Sequence, residues 1–243
     1  MNEHYEYHGQ CDLVLAKDPN FADGLGMDVQ IRTKLVRFWS YIKNAAVRIG
    51  EDILEVEGSD EEQGRYWINW EYHGELETLG GFPVTMIGRD GTAKRKYEID
   101  LSSKYPGQKI VVSTYKEFVR IEFENGTEES FGNTVGLLGD FNTGKTLARD
   151  GTTVLNDFVE LGNEWQVLPS EEMLFHSIST PQFPQQCIEP EDPRGARRRR
   201  LDESAIVEAD AEKACAHLKS ELDRKDCVYD VLATQDLDMV GVY

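Results

Sequence analysis

The sequence predicts a mainly β protein: an antiparallel β-sandwich with a small helical C-terminal appendage. Three observations carry this expectation. Short alternating or apolar runs recur through the first half of the chain, turn signals separate many of them, and no long helical period intervenes among them. Many short strands without helices between them bury their apolar faces by packing sheet on sheet.

In chain order, strands are expected at 12–16, 27–36, 38–49, 53–56, 66–72, 82–87, 94–101, 109–113 and 118–123. Asp90-Gly91, Pro106-Gly107 and Asn125-Gly126 supply turn chemistry between them. Asn125-Gly126 reads as a type I′ hairpin turn, with 128–131 as the returning strand. Asn125-Gly126-Thr127 is also a glycosylation sequon, and a hairpin tip is where a glycan would fit. The run Trp39-Ser40-Tyr41-Ile42 and the residues Trp67, Trp70 and Trp165 are expected as core aromatics.

Beyond Val167 the composition changes. Pro181, Pro184, Pro190 and Pro193 predict an extended linker, and Arg194-Gly195-Ala196-Arg197-Arg198-Arg199-Arg200 follows. The basic residues Arg197, Arg198, Arg199 and Arg200 suit a proprotein-processing site, or simply a solvated linker that balances neighbouring acids. The spacing of Ile206, Ala209, Ala214, Leu218 and Leu222 predicts a helix over 202–222, with Asp202 and Ser204 as caps. Three segments result: 1–187, a linker at 188–201, and a helical, cysteine-containing tail at 202–243.

At 243 residues the chain can hold one sizeable core plus an appendage. Its 45 acids against 26 bases, net −19, exclude nucleic acid and anionic membrane surfaces as partners, because phosphate binding needs a basic face. Nowhere do eighteen apolar residues run together, so no helical membrane span is expected. Met1-Asn2-Glu3-His4 has neither the basic start nor the apolar stretch of a secretion signal. The four cysteines allow three pairings.

Catalytic signatures are sparse. The histidines His4, His8, His73, His176 and His217 show no metalloprotease spacing, and no G-x-S-x-G elbow or cysteine nucleophile motif occurs. One motif does match. Gly139-Asp140-Phe141-Asn142-Thr143-Gly144-Lys145-Thr146 satisfies G-x-x-x-x-G-K-[ST], whose backbone N–H groups cradle phosphates when a strand enters and a helix leaves. Here Leu147-Ala148-Arg149 runs at once into Asp150-Gly151 and two threonines, where no stable helix starts. Nucleotide hydrolysis is therefore the distant alternative. The same stretch can instead act through side-chain oxygens: Asp140 and Asn142 alternate in a Gly-flanked loop, and Asn156-Asp157 follow, donors of the kind Ca²⁺ takes. It is not an EF-hand, because Gly151 stands where the bidentate Glu is required.

GLLGDFN at 136–142, NDF at 156–158 and GNEWQV at 162–167, with Gly9-Gln10-Cys11-Asp12-Leu13-Val14-Leu15 near the start, resemble the von Willebrand factor type D domain. The family pattern is G-x-C-x-Y-V-L at the front and G-L-C-G-[ND]-[FY]-[ND]-G, D-D-F and F-G-N-[ST]-W at the back. The resemblance spans residues 4 to 187 with all blocks in order. It implies calcium ligands at Asp140, Asn142, Asn156 and Asp157, and a disulfide between Cys11 and Cys187, which leaves Cys215 with Cys227. Twelve residues of straight helix would hold that second pair about 18 Å apart, so the chain must reverse between them, with a bend expected within 219–226. Leu138 and Val135 stand where the family carries cysteines. The family's Gly-Asp-Pro-His block and a further Asp ligand would fall at or before Met1, so a longer secreted chain is expected. The segment 227–234 resembles the piece that follows type D domains in mucin-like surface proteins.

The expectation is a non-enzymatic extracellular structural or adhesive module, a calcium-stabilised, disulfide-bonded glycoprotein segment of a larger secreted or surface protein. Its partners would be proteins or glycans of the matrix or cell surface, with self-association among them. The stronger alternative is an intracellular interaction protein that keeps the fold without metal or disulfides.

Overall fold

The computed structural model describes residues 7–36, 39–61, 63–75, 77–88, 94–189 and 206–243. Its strands form two antiparallel sheets. One has six strands in the order β1 (Asp12–Asp18), β2 (Met27–Val36), β3 (Trp39–Ile49), β4 (Asp52–Glu57), β5 (Arg65–Ile68) and β6 (Glu71–Tyr72). The other has five, β7 (Thr78–Leu79), β8 (Phe82–Gly88), β9 (Arg95–Asp100), β10 (Lys109–Tyr115) and β11 (Phe118–Glu124). Each strand pairs with its neighbour in sequence, so the molecule is two meanders stacked face to face. The helices are α1 (Phe21–Gly24), α2 (Glu128–Phe131), α3 (Phe158–Glu164), α4 (Glu208–Cys215) and α5 (Glu221–Thr234), followed by a 3₁₀ turn at Leu237–Val242.

The period of two explains the layers. Val29 and Ile31, Ala45, Val47 and Ile49, Leu54 and Val56 point inward from β2, β3 and β4 to meet Tyr97 and Ile99 of β9 and Ile110 and Val112 of β10. The alternate positions Asp12, Asp28, Gln30, Asn44 and Glu55 lie on the opposite face, yet they too are buried. Residues 168–187 cover them. Leu174 and Phe175 pack on Ala46 and Ile53. The Leu174 N–H donates to Gln30 Oε1 (3.1 Å), while Gln30 Nε2 donates to the Glu172 carbonyl (2.8 Å). Arg32 donates to both carboxylate oxygens of Asp12 (2.7 and 2.9 Å) and to Ser177. The His176 N–H donates to Glu55 Oε2 (2.7 Å), and its ring stacks on Trp67 at 3.8 Å. Asp12, Gln30 and Glu55 thereby find partners that offset their desolvation, while Asn44 Nδ2 donates to Glu55 Oε1 (2.9 Å). Between Val167 and Cys187 the chain is therefore a strap tied to the sheet at Leu174, Phe175 and Cys187, although Pro181 and Pro184 within it read as linker.

Some expectations need correction. The strand predicted at 66–72 is broken, because Asn69 and Trp70 adopt positive φ (49° and 65°) and form the turn from β5 to β6. Trp70 is 50% exposed and is not a core residue, whereas Trp39, Trp67 and Trp165 are buried. Residues 128–131 form α2 and not a returning strand: Thr127 N–H donates to Ser130 Oγ (3.1 Å), half of a capping box, and the turn of helix that follows delivers Phe131 to the core. Asn125 is thus the positive-φ (55°) exit of β11 and not a hairpin tip. In the tail, Leu222 belongs to α5, and the reversal between Cys215 and Cys227 falls at 216–220, where Ser220 caps α5. The Asp90-Gly91 turn and residues 202–205 lie outside the described residues.

Candidate functional site

The stretch 136–167 is laid along the open edge of β1. Val135 pairs with Lys17, Leu137 N–H donates to the Val14 carbonyl (2.9 Å) and Leu138 N–H to that of Leu15 (3.1 Å). Gly136 (φ +144°) passes so close that a Cβ would stand 2.5 Å from the Leu15 carbonyl oxygen, which explains the glycine at the head of this block. Farther on, Leu13 pairs with Gln166, and Val14 N–H donates to the Trp165 carbonyl (2.8 Å). Both ends of the candidate loop are therefore fixed to one strand.

Within the loop, the first turn closes on itself. Asp140 N–H donates to the Lys145 carbonyl and Gly144 N–H to that of Asp140, both at 2.8 Å. Asp140 Oδ1 accepts from the Thr143 N–H (2.7 Å) and hydroxyl (2.6 Å). The Thr146 hydroxyl donates to the Leu155 carbonyl. The N–H groups that a phosphate cradle would need are turned inward, and Leu147 leaves by pairing with Val154 instead of starting a helix. The G-x-x-x-x-G-K-T match is thus a closed Asx turn that runs into a β-bridge and not into the helix a phosphate-binding loop feeds.

Leu155 N–H donates to the Thr146 carbonyl (2.8 Å), which ties the residue before Asn156 and Asp157 to the end of the 139–146 turn. Asp157 Oδ1 caps α3, accepting from the N–H groups of Val159 (2.8 Å) and Glu160 (3.0 Å). Asn142 Nδ2 donates to the Gly132 carbonyl (3.0 Å), which leaves its amide oxygen for other use, and Asn156 is exposed. Asp140 and Asp157 each use Oδ1 in their own turn. Among the described residues no group of three His, Cys, Asp or Glu side chains stands ready for a metal, so the set rests on two carboxylates and two amides.

The hairpin's far end is tied down more strongly. Arg149 donates to the carbonyls of Glu164 (2.8 Å) and Gln166 (2.6 Å) and to both oxygens of Glu171 (2.9 and 3.0 Å), with its guanidinium 4.8 Å over the Trp165 ring. Burial raises the Glu171 pKa, but the hydrogen bonds from Arg149 and the Leu168 N–H and the charges of Arg149 and Lys17 more than reverse this and hold it below the ordinary carboxylate value. Asp150 at the tip is also held low, by the hydroxyl and N–H of Thr153 and the N–H of Thr152.

The disulfides are Cys11–Cys187, which spans 176 residues with Cα atoms 5.3 Å apart, and Cys215–Cys227, which spans 12 residues with Cα atoms 6.0 Å apart. The first joins β1 to the end of the strap, where Gln10 and Ile188 pair and Cys187 N–H donates to Asn163 Oδ1 (2.7 Å). Asn125 is exposed, and its Nδ2 donates to the Gly107 carbonyl (2.9 Å), the donor that glycosylation would modify. Arg197–Arg200 lie outside the described residues. Among the described residues no helix is long and apolar enough to cross a membrane. The strap's outward polar partners, Glu55 and His176 among them, carried no motif by which the sequence could have revealed them. The chain matches no protein-family model and no curated protein.

Proposed function

We propose that this chain is a non-enzymatic structural or adhesive module of the von Willebrand factor type D kind, working in an oxidising extracellular setting as part of a larger secreted or surface protein. The observation that carries this is the Cys11–Cys187 bridge, which closes nearly the whole sandwich at the positions the resemblance implies. Long-range disulfides persist outside the cytosol and not within it. Calcium is the ion proposed for Asp140, Asn142, Asn156 and Asp157, with an affinity of roughly 10⁻⁴–10⁻³ M, the range of extracellular modules with few charged ligands. Its work is mechanical: it pins the 140–157 hairpin, whose other end Arg149 already holds, and so stiffens the edge beside β1. The acidic surface, net −19, suits a calcium-rich medium and partners that are proteins or glycans.

The test is calorimetric titration of Ca²⁺ into EDTA-treated protein, with melting curves, beside Asp140→Asn and Asp157→Asn. Asparagine keeps the turn and the cap but removes a charge. The proposal expects heat and a rise in melting temperature at millimolar Ca²⁺ for the parent, and at least a tenfold weaker response for each variant. An absent response in the parent overturns the calcium part, and an equal response in the variants places the ion elsewhere.

A further inference from the structure

We propose that residues 206–243 form a separable subunit, held by the outer side of β10 and β11 without covalent help, so that the chain cut between 189 and 206 persists as a two-chain protein. The covalent frame is already divided. Cys11–Cys187 lies wholly in the sandwich and Cys215–Cys227 wholly in the tail, and these are all four cysteines of the chain. The tail also has its own core, in which Ala211, Cys215, Cys227, Val231 and Met239 are buried together.

What remains is an interface, and its chemistry is complementary. Tyr115 and Phe118 of the sandwich supply the apolar centre against the tail's core. Gly241 lies so close to the Tyr115 ring that a Cβ there would come within 3.1 Å. Around this centre the sandwich offers cations and the tail offers anions. Lys116 Nζ reaches Asp236 (2.5 Å) and Asp238 (3.7 Å), Arg120 reaches Asp223 (3.1 Å), and Lys94 donates to the Gly241 carbonyl. The Arg120 guanidinium also lies 4.7 Å over the Tyr243 ring. In a chain of net charge −19, two acidic pieces would otherwise repel, so these local cations specify the docking. The far side adds a contact from Tyr229 to His8 Nε2 (3.0 Å).

Residues 190–205 join the two units. Hydrolysis there adds one water across one peptide bond and creates one carboxylate and one amine; none of the groups named at the interface changes. A cut chain therefore keeps the contacts that hold the tail, and loses only the tether that raises its local concentration.

The test uses the full oxidised chain with a site-specific protease sequence in place of residues 197–200. After complete cutting, verified by non-reducing mass analysis, the two pieces should co-elute on size exclusion in 0.15 M salt. In Lys116→Glu/Arg120→Glu, cut in the same way, the tail should leave at least tenfold faster, while the uncut variant runs at the parent's size. Should that variant fold poorly, the cut parent in 1 M salt decides the matter, because screening of the charge pairs must release more tail than 0.15 M salt does. Prompt loss of the tail from the cut parent overturns the proposal. Retention that neither salt nor charge reversal weakens overturns its electrostatic basis.

Discussion

Asp28 is a carboxylate whose placement opposes folding at neutral pH. It is 1% exposed, its Oδ1 has no hydrogen-bond partner among the described residues, and Lys17 (3.3 Å) and Arg48 (3.6 Å) both address Oδ2. Burial raises its pKa, and the two cations offset only part of that rise. A raised folded-state value contributes stability that is fully present below the unfolded value near 3.9 and is lost as pH rises through the folded one. Asp28→Asn should therefore stabilise the protein relative to the parent more at pH 7 than at pH 4, as read from urea midpoints at the two values. A gain that is larger at pH 4 would reverse the sign and refute this account. Arg149 is the opposite case, since it satisfies two carbonyls and one carboxylate at once. Arg149→Ala should cost about 2–3 kcal/mol in urea unfolding, because the half-buried Glu171 loses its partner. Asp157→Ala should cost about 1 kcal/mol even without calcium, because the cap of α3 is lost in either case.

Among the elements, the strap of residues 168–187 is the least expected and the most consequential. Phe175→Ala empties a buried site between Ile53 and the Arg32 guanidinium, and should destabilise by about 3 kcal/mol in thermal or urea unfolding. A change under 1 kcal/mol would mean that the strap is peripheral. Why it was hidden is physical. Strand positions declare themselves by period two, so β2, β3, β4, β9 and β10 were legible from their apolar alternation. The strap has no period, only prolines and isolated apolar residues, and its partners are the polar half of that same alternation, which in sequence looks solvated. The turn at Asn69 and Trp70 was missed for a related reason. Tyr66, Trp67, Ile68, Trp70 and Tyr72 all favour strands, and they outweigh Asn69, where the chain turns at positive φ. At 128–131, the capping box of Thr127 and Ser130 outweighed the hairpin signal of Asn125-Gly126. For the candidate site, the GLLGDFN and NDF blocks were legible as oxygen donors, but the use of each carboxylate in its own turn was not, because it depends on hydrogen bonds that only the folded loop forms.

On the scale of the molecule, two meanders are closed into one body by a bridge between β1 and the strap's end. The pairing of Cys11 with Cys187 was legible through the resemblance alone, since four cysteines by themselves admit every pairing. Closure of so long a loop should contribute about 5 kcal/mol in the chain-entropy model, and the short Cys215–Cys227 loop about 3 kcal/mol. Selective loss of the first, as Cys11→Ser/Cys187→Ser, should therefore lower the melting temperature more than Cys215→Ser/Cys227→Ser does. The central claim is that this frame is oxidised where the protein works. The most direct measurement is thiol counting with disulfide mapping on protein taken from its natural source, alkylated at harvest and then denatured. The account predicts no free thiol and the two links Cys11–Cys187 and Cys215–Cys227; four alkylated cysteines in a soluble, folded protein would contradict it and favour an intracellular module that keeps only the fold.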